Sequence, residues 1–198
     1  MGKTHLLRWA GELADQRCEG TISAAIDPAN RSWRLFRQGV HEPDTTVSAL
    51  IDTGGGDTSL ALLVRMMPDL ATVLEDAGVV PVLVHVLGNN PQDLVPMAEI
   101  DDTGFRPAAT LIVCNERFDR RDQFGRILRH EVFQAAINRG AQHVWMPYMT
   151  KSASELVDAR RLPFLAVGNS IGPFNGASVR GWLKAMGDEF APVLSWLP

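Results

Sequence analysis

Residues 47–87 read VSALIDTGGGDTSLALLVRMMPDLATVLEDAGVVPVLVHVL. Val47 to Ile51 is an apolar run of strand length, and it stops abruptly at Asp52-Thr53-Gly54-Gly55-Gly56. From about Ser59 to Ala77 the pattern becomes helical, and Gly78 ends it. Val79 to Leu87 is rich in valine and apolar at successive positions, as in a parallel strand buried on both faces. Strand, helix, strand in this order predicts an α/β fold, because two parallel strands need a crossover between them.

The same alternation continues outward. Upstream, Leu6, Leu7, Trp9, Ala10, Leu13 and Ala14 form a helical stripe over His5 to Cys18, stopped by Gly20. A short strand over Thr21 to Ile26 then ends in Asp27-Pro28. Downstream, Gly88 to Pro91 turns into a helix over about Gln92 to Ile100. A strand over Ala108 to Cys114 ends at Asn115. A long helix is expected over Asp122 to Asn138, closed by Gly140, then a strand over His143 to Met146, closed by Pro147. Helices follow near Ser152 to Arg160 and Ala177 to Phe190, with a loop over Gly168 to Gly176. The expected architecture is one domain over residues 1–198, a three-layer sandwich with a mostly parallel sheet between helices. Residues 177–198 form its C-terminal helical segment.

Composition narrows the classes. The 198 residues are 45% hydrophobic and 21% charged, which excludes a wholly disordered chain. The longest apolar runs fall far short of the ~20 residues of a membrane span. No basic-then-apolar leader opens the chain, so a cytoplasmic location is expected. Cys18 and Cys114 lack metal spacing and read as buried thiols. His5, His41, His85, His130 and His143 show no ligand spacing either. The net charge of −4 does not advertise nucleic-acid binding. Arg117, Arg120, Arg121, Arg126 and Arg129 do cluster, but Glu116, Asp119, Asp122 and Glu131 are interspersed among them. The simpler reading is a solvated, self-paired face; the other is a contact surface for non-specific DNA.

In parallel sheets ligands bind beyond the carboxyl ends of the strands, so the polar residues there are the candidates. Asp52 ends an apolar strand before three glycines, where a carboxylate holds Mg²⁺ and backbone at Gly54 and Gly55 comes close to phosphate. The same position also suits a turn or helix cap. Asp27 is positioned to orient water or Mg²⁺, or to shape a turn with Pro28. Asn115 carries an amide donor and acceptor that match a purine edge, or a turn. Gly2-Lys3-Thr4 precedes a helix, where a phosphate-binding loop ends: backbone N–H groups and Lys hold phosphate, and the Thr hydroxyl ligates Mg²⁺.

The order of these parts, from "GKTHLLRWAGELADQ" through "TISAAIDPANRSWRLF" and "ALIDTGGG" to "LIVCNERF", resembles ParA/MinD-type P-loop ATPases and their plasmid partition and mobilisation relatives. The resemblance covers most of residues 2–165 and is strongest at the strand ends. It implies ATP and Mg²⁺ as cofactors. Gly2, Lys3 and Thr4 correspond to the end of the phosphate loop, Asp27 to the Asp linked to hydrolysis, Asp52 to the Walker B Asp and Asn115 to the adenine-side Asn. Lys3, Asp27 and Asp52 are thus the expected catalytic residues. Thr4 and Asp52 are the expected metal residues, and Gly54, Gly55 and Pro147 join the nucleotide contacts. The resemblance also implies a homodimer and a partner protein. The sequence departs from the family at its start: the signature Lys, its two glycines and the first, central strand are missing. A Mg²⁺-dependent ATPase is expected if the loop is completed upstream, and weak ATP binding without it. The alternative is a nucleotide-independent scaffold built on the same fold.

Overall fold

The computed structural model describes residues 2–16, 20–25, 36–37, 47–52, 59–117, 120–168 and 170–197. In chain order these form α1 (Gly2–Gln16), β1 (Gly20–Ala25), β2 (Phe36–Arg37), β3 (Val47–Asp52), α2 (Ser59–Met66), α3 (Leu70–Asp76) and β4 (Val82–Leu87). Then come α4 (Val95–Asp102), β5 (Ala109–Asn115), α5 (Gly125–Leu128), α6 (Glu131–Asn138), β6 (Gln142–Met146), α7 (Lys151–Arg160) and α8 (Pro173–Phe190). The class is α/β, with parallel strands and helices as the alternation predicts. The chain divides into two compact units: residues 1–25, 33–52 and 146–198 form the first, and 26–32 with 53–145 the second.

In the first unit the sheet order is β2-β1-β3. β1 and β3 run parallel, with Ile22 opposite Ala49 and Ala25 opposite Asp52, whereas the short β2 is antiparallel to β1. Helix α1 packs on this sheet; the backbone at Gly11 approaches Leu50, and a Cβ there would lie 3.8 Å from Leu50 Cδ1. Four residues of the expected stripe are buried, Leu6, Trp9, Ala10 and Ala14 all being under 5% exposed, while Leu7 and Leu13 are half-buried. Trp9 meets Phe190 edge-on at 5.0 Å, and Phe164 meets Trp182 at 4.9 Å, so aromatic contacts join α1, α8 and the 3₁₀ turn at Phe164–Ala166. Helix α8 starts earlier than expected, inside the Gly168–Gly176 stretch. Pro173 sits at its first turn after Gly172, whose φ of 85° only glycine adopts readily.

In the second unit β5 lies between β4 and β6. β4 and β5 are parallel, with Leu83 opposite Thr110 and Leu87 opposite Cys114. The central strand is the dry one: Leu111, Ile112, Val113 and Cys114 are fully buried, while Val82 to Val86 of β4 are half-buried. The Val-rich run is therefore less buried than its composition predicts, β4 being the end strand of its sheet among the described residues. Leu87, Met97, Ile112, Phe124, Ile127 and Phe133 form one hydrophobic cluster, and Ala61, Val64, Ile100 and Phe105 a second.

Two expected helices are broken. The stretch Ser59 to Ala77 is α2 and α3, interrupted at Pro68, which lacks an N–H and disfavours helical backbone at Met67. The stretch Asp122 to Asn138 is a 3₁₀ turn, α5 and α6. It restarts at His130, whose backbone is extended and whose Nδ1 accepts from Val132 N–H at 3.3 Å. Gly78 and Gly140 end their helices as expected, at φ of 75° and 100°. Around Gly140 the Ala141 N–H donates to the Ala136 carbonyl and the Gly140 N–H to the Ile137 carbonyl, the double bond of a Schellman cap.

Candidate functional site

Parallel strands bring their carboxyl ends to one edge. In the first unit that edge carries Asp52, which ends β3 opposite Ala25 of β1. Asp27, Gly54 and Gly55 lie outside the described residues. Gly2 and Lys3 belong to the first turn of α1, and Thr4 beside them is exposed. Pro147 is anchored by its backbone: its carbonyl accepts from Trp182 Nε1–H at 3.0 Å.

In the second unit the corresponding edge carries Asn115, which is fully buried. Its Oδ1 accepts the Arg117 backbone N–H at 2.9 Å, which turns the chain out of β5. That bond fixes the amide orientation, because the nitrogen end cannot accept. Nδ2 is left buried with no partner among the described residues. An orphaned buried donor costs about 1–3 kcal/mol, which makes Asn115 a candidate contact. The turn reading of Asn115 is the one its hydrogen bond shows: the oxygen accepts the Arg117 N–H. Beside it, burial pushes the Cys114 thiol from its ordinary 9.0 up to about 12, so it carries a proton and is no nucleophile.

The start of α1 is held by residues that local sequence patterns do not mark. His5 is 5% exposed; its Nε2 lies 3.2 Å from both carboxylate oxygens of Asp158, and its ring stands edge-on to Phe164. Arg8 reaches Asp158 at 3.4 Å and Glu12 at 3.5 Å, with its guanidinium 4.6 Å from the Phe164 ring centre. Glu12 accepts the backbone N–H groups of Phe164 and Leu165 at 2.8 and 2.9 Å, capping the 3₁₀ turn there. The spacing 5, 8, 12 puts all three on one helix face. A polar stripe at that spacing was the available signal, but its partners lie about 150 residues away.

In the arginine cluster, Arg121 pairs with Glu116 and stands 5.1 Å over Trp145. This one pair fits the self-paired reading of the cluster. Among the described residues, no group of three or more His, Cys, Asp or Glu side chains is gathered to hold a metal. No helix among them is long and apolar enough to cross a membrane. Comparison with family models, with curated proteins and with solved structures finds no match.

Proposed function

We propose that this chain is the body of a ParA/MinD-type nucleotide-binding protein that binds ATP with Mg²⁺ and, with a complete phosphate loop, hydrolyses it. The observation that carries the reading is the buried, unpartnered Nδ2 of Asn115 at the carboxyl end of β5. A donor in that position suits a ring nitrogen of adenine. Thr4 and Asp52 offer a hydroxyl and a carboxylate, the hard oxygen donors that Mg²⁺ accepts. When bound, Mg²⁺-ATP supplies the phosphoryl group to be transferred. Lys3 neutralises phosphate charge, Asp27 orients water, and Gly54 and Gly55 let backbone approach.

Two further observations support the fold behind this reading. A central strand needs an open edge to pair with. β3 is the last strand of its sheet and β4 the first of its own, each with one edge unpaired among the described residues. β4 also carries apolar side chains that are not fully covered, since Val82, Leu83, Val84 and Val86 are only half-buried.

Asn115→Asp tests the nucleotide contact in a version of the chain carrying a full Lys-Gly-Gly-x-Gly loop. The Asp oxygen still accepts the Arg117 N–H, but the donor is gone. Mg²⁺-ATP affinity should fall by about tenfold or more, roughly 1.4 kcal/mol, while Mg²⁺-triphosphate without a base binds as before. Equal loss for both ligands would remove Asn115 from the base contact. Asn115→Ser, a smaller change without buried charge, controls for folding by its melting curve.

A further inference from the structure

The two hydrophobic clusters of the second unit do not close on each other completely. Where they adjoin, a cavity of about 130 Å³ opens between α4, the end of α6 and the first residues of β4 and β5. Its cause is in the sequence. Ala108, Ala136 and Ala141 present only methyl groups there, and Gly140 presents none. Gly140 is required by the helix cap at φ 100°, so no side chain can fill the opening from that position without strain. Leu83, Met97, Ile100 and Phe105 form an apolar wall of the cavity, and polar groups line the rest.

The mouth is charged. Asp101 bonds Arg139 Nη2 at 2.6 Å through one oxygen and Arg106 Nη1 at 3.3 Å through the other. Arg106 Nη1 also donates to the Phe105 carbonyl at 2.9 Å. Two guanidinium groups meet one carboxylate, so the mouth carries one excess positive charge. Each guanidinium has five N–H donors, more than these bonds use. Their side chains are 57% and 40% exposed, so a ligand reaches them from solvent. On the wall, His85 and Thr110 add an imidazole and a hydroxyl.

We propose that this cavity binds a small apolar monoanion, a carboxylate on a body the size of a benzene ring, with the body among Leu83, Met97 and Phe105 and the charge on Arg106 and Arg139. One monoanion balances the excess charge at the mouth. Planar forked donors match a carboxylate in two bonds. Apolar cavities of roughly 150 Å³ accept benzene, so the space suits one ring or a short branched chain. A cation is disfavoured, because both oxygens of Asp101 are already engaged. The site lies at the amino ends of β4 and β5, whereas Asn115 lies at the carboxyl end of β5, so it is separate from the nucleotide contact proposed above.

Benzoate is the probe, with benzyl alcohol as an uncharged body of similar size. Amide chemical shifts of the full chain should move saturably with benzoate, centred on residues around Phe105 and Arg139. Benzyl alcohol should bind at least about tenfold more weakly. Arg139→Gln should weaken benzoate by about tenfold or more and leave benzyl alcohol unchanged. Ala108→Leu, which fills the cavity, should abolish both. Arg139→Gln is a surface change, so its folded spectrum keeps the test valid if Ala108→Leu does not fold. No saturable shift with benzoate, equal binding of the two probes, shifts centred elsewhere, or an unaffected Arg139→Gln would each overturn the proposal.

Discussion

Cys114 shows how burial sets chemistry at one residue. The thiol is sealed in the core of the second unit and its ionised form is desolvated, which pushes it up to about 12. The native state then holds its proton where the unfolded chain, with an ordinary value of 9.0, has released it. The unfolded state binds fewer protons in that window, so stability must fall as pH rises from about 9 toward 12. The contribution is complete below pH 9, and its loss approaches about 1.4 kcal/mol per pH unit inside the window. Urea unfolding of the chain and of Cys114→Ala at pH 7, 9 and 10 isolates this term. The gap between the two should shrink as pH rises, because the variant has no thiol to hold protonated. A constant gap would mean that the thiol ionises freely in the native state.

At the scale of elements, β5 was legible to within a residue because its local pattern and its final burial agree: an apolar run occupies the middle of a sheet. The strand at Val47 and the stops at Gly78 and Gly140 were legible for the same reason, since one glycine conformation ends a helix whatever packs around it. The breaks at Pro68 and His130 were not. Pro68 was visible, but the apolar periodicity on both sides of it suggested one helix. His130 caps α6 through a ring nitrogen, which no common capping pattern announces. The face of α1 that carries His5, Arg8 and Glu12 was illegible because its partners, Asp158, Phe164 and Leu165, are distant in sequence. Its worth can be measured. Glu12→Ala removes the acceptor of two backbone N–H groups, and each bond to a charged group contributes about 1.5–3 kcal/mol at most. Partial exposure at Leu165 lowers the sum, so a loss of about 2–3 kcal/mol in urea unfolding is expected. Glu12→Gln, which keeps one strong acceptor oxygen, should recover part of it. A loss under about 0.5 kcal/mol for Glu12→Ala would show that water replaces the cap.

At the scale of the whole molecule, the chain comprises two α/β units, each with parallel strands whose carboxyl ends carry a candidate residue: Asp52 in the first, Asn115 in the second. The candidate site was legible only as polar residues at strand ends. What the structure adds is the orphaned donor of Asn115, a property of packing that no sequence pattern encodes. The nucleotide reading assigns that donor to the base, and for the phosphates it depends on backbone N–H groups that wrap them. In that reading Gly2 to Thr4 would supply the last few of those groups. An N-terminal strand with a Lys-Gly-Gly-x-Gly loop would supply the rest and occupy an open strand edge, so it should raise the melting temperature as well. The most direct measurement is a calorimetric Mg²⁺-ATP titration of the 198-residue chain beside the chain extended by that strand and loop. The account predicts weak or undetectable binding by the former and saturable, Mg²⁺-dependent binding by the latter. An extended chain that folds and binds no ATP would contradict it, and would leave the nucleotide-independent scaffold as the reading of this fold.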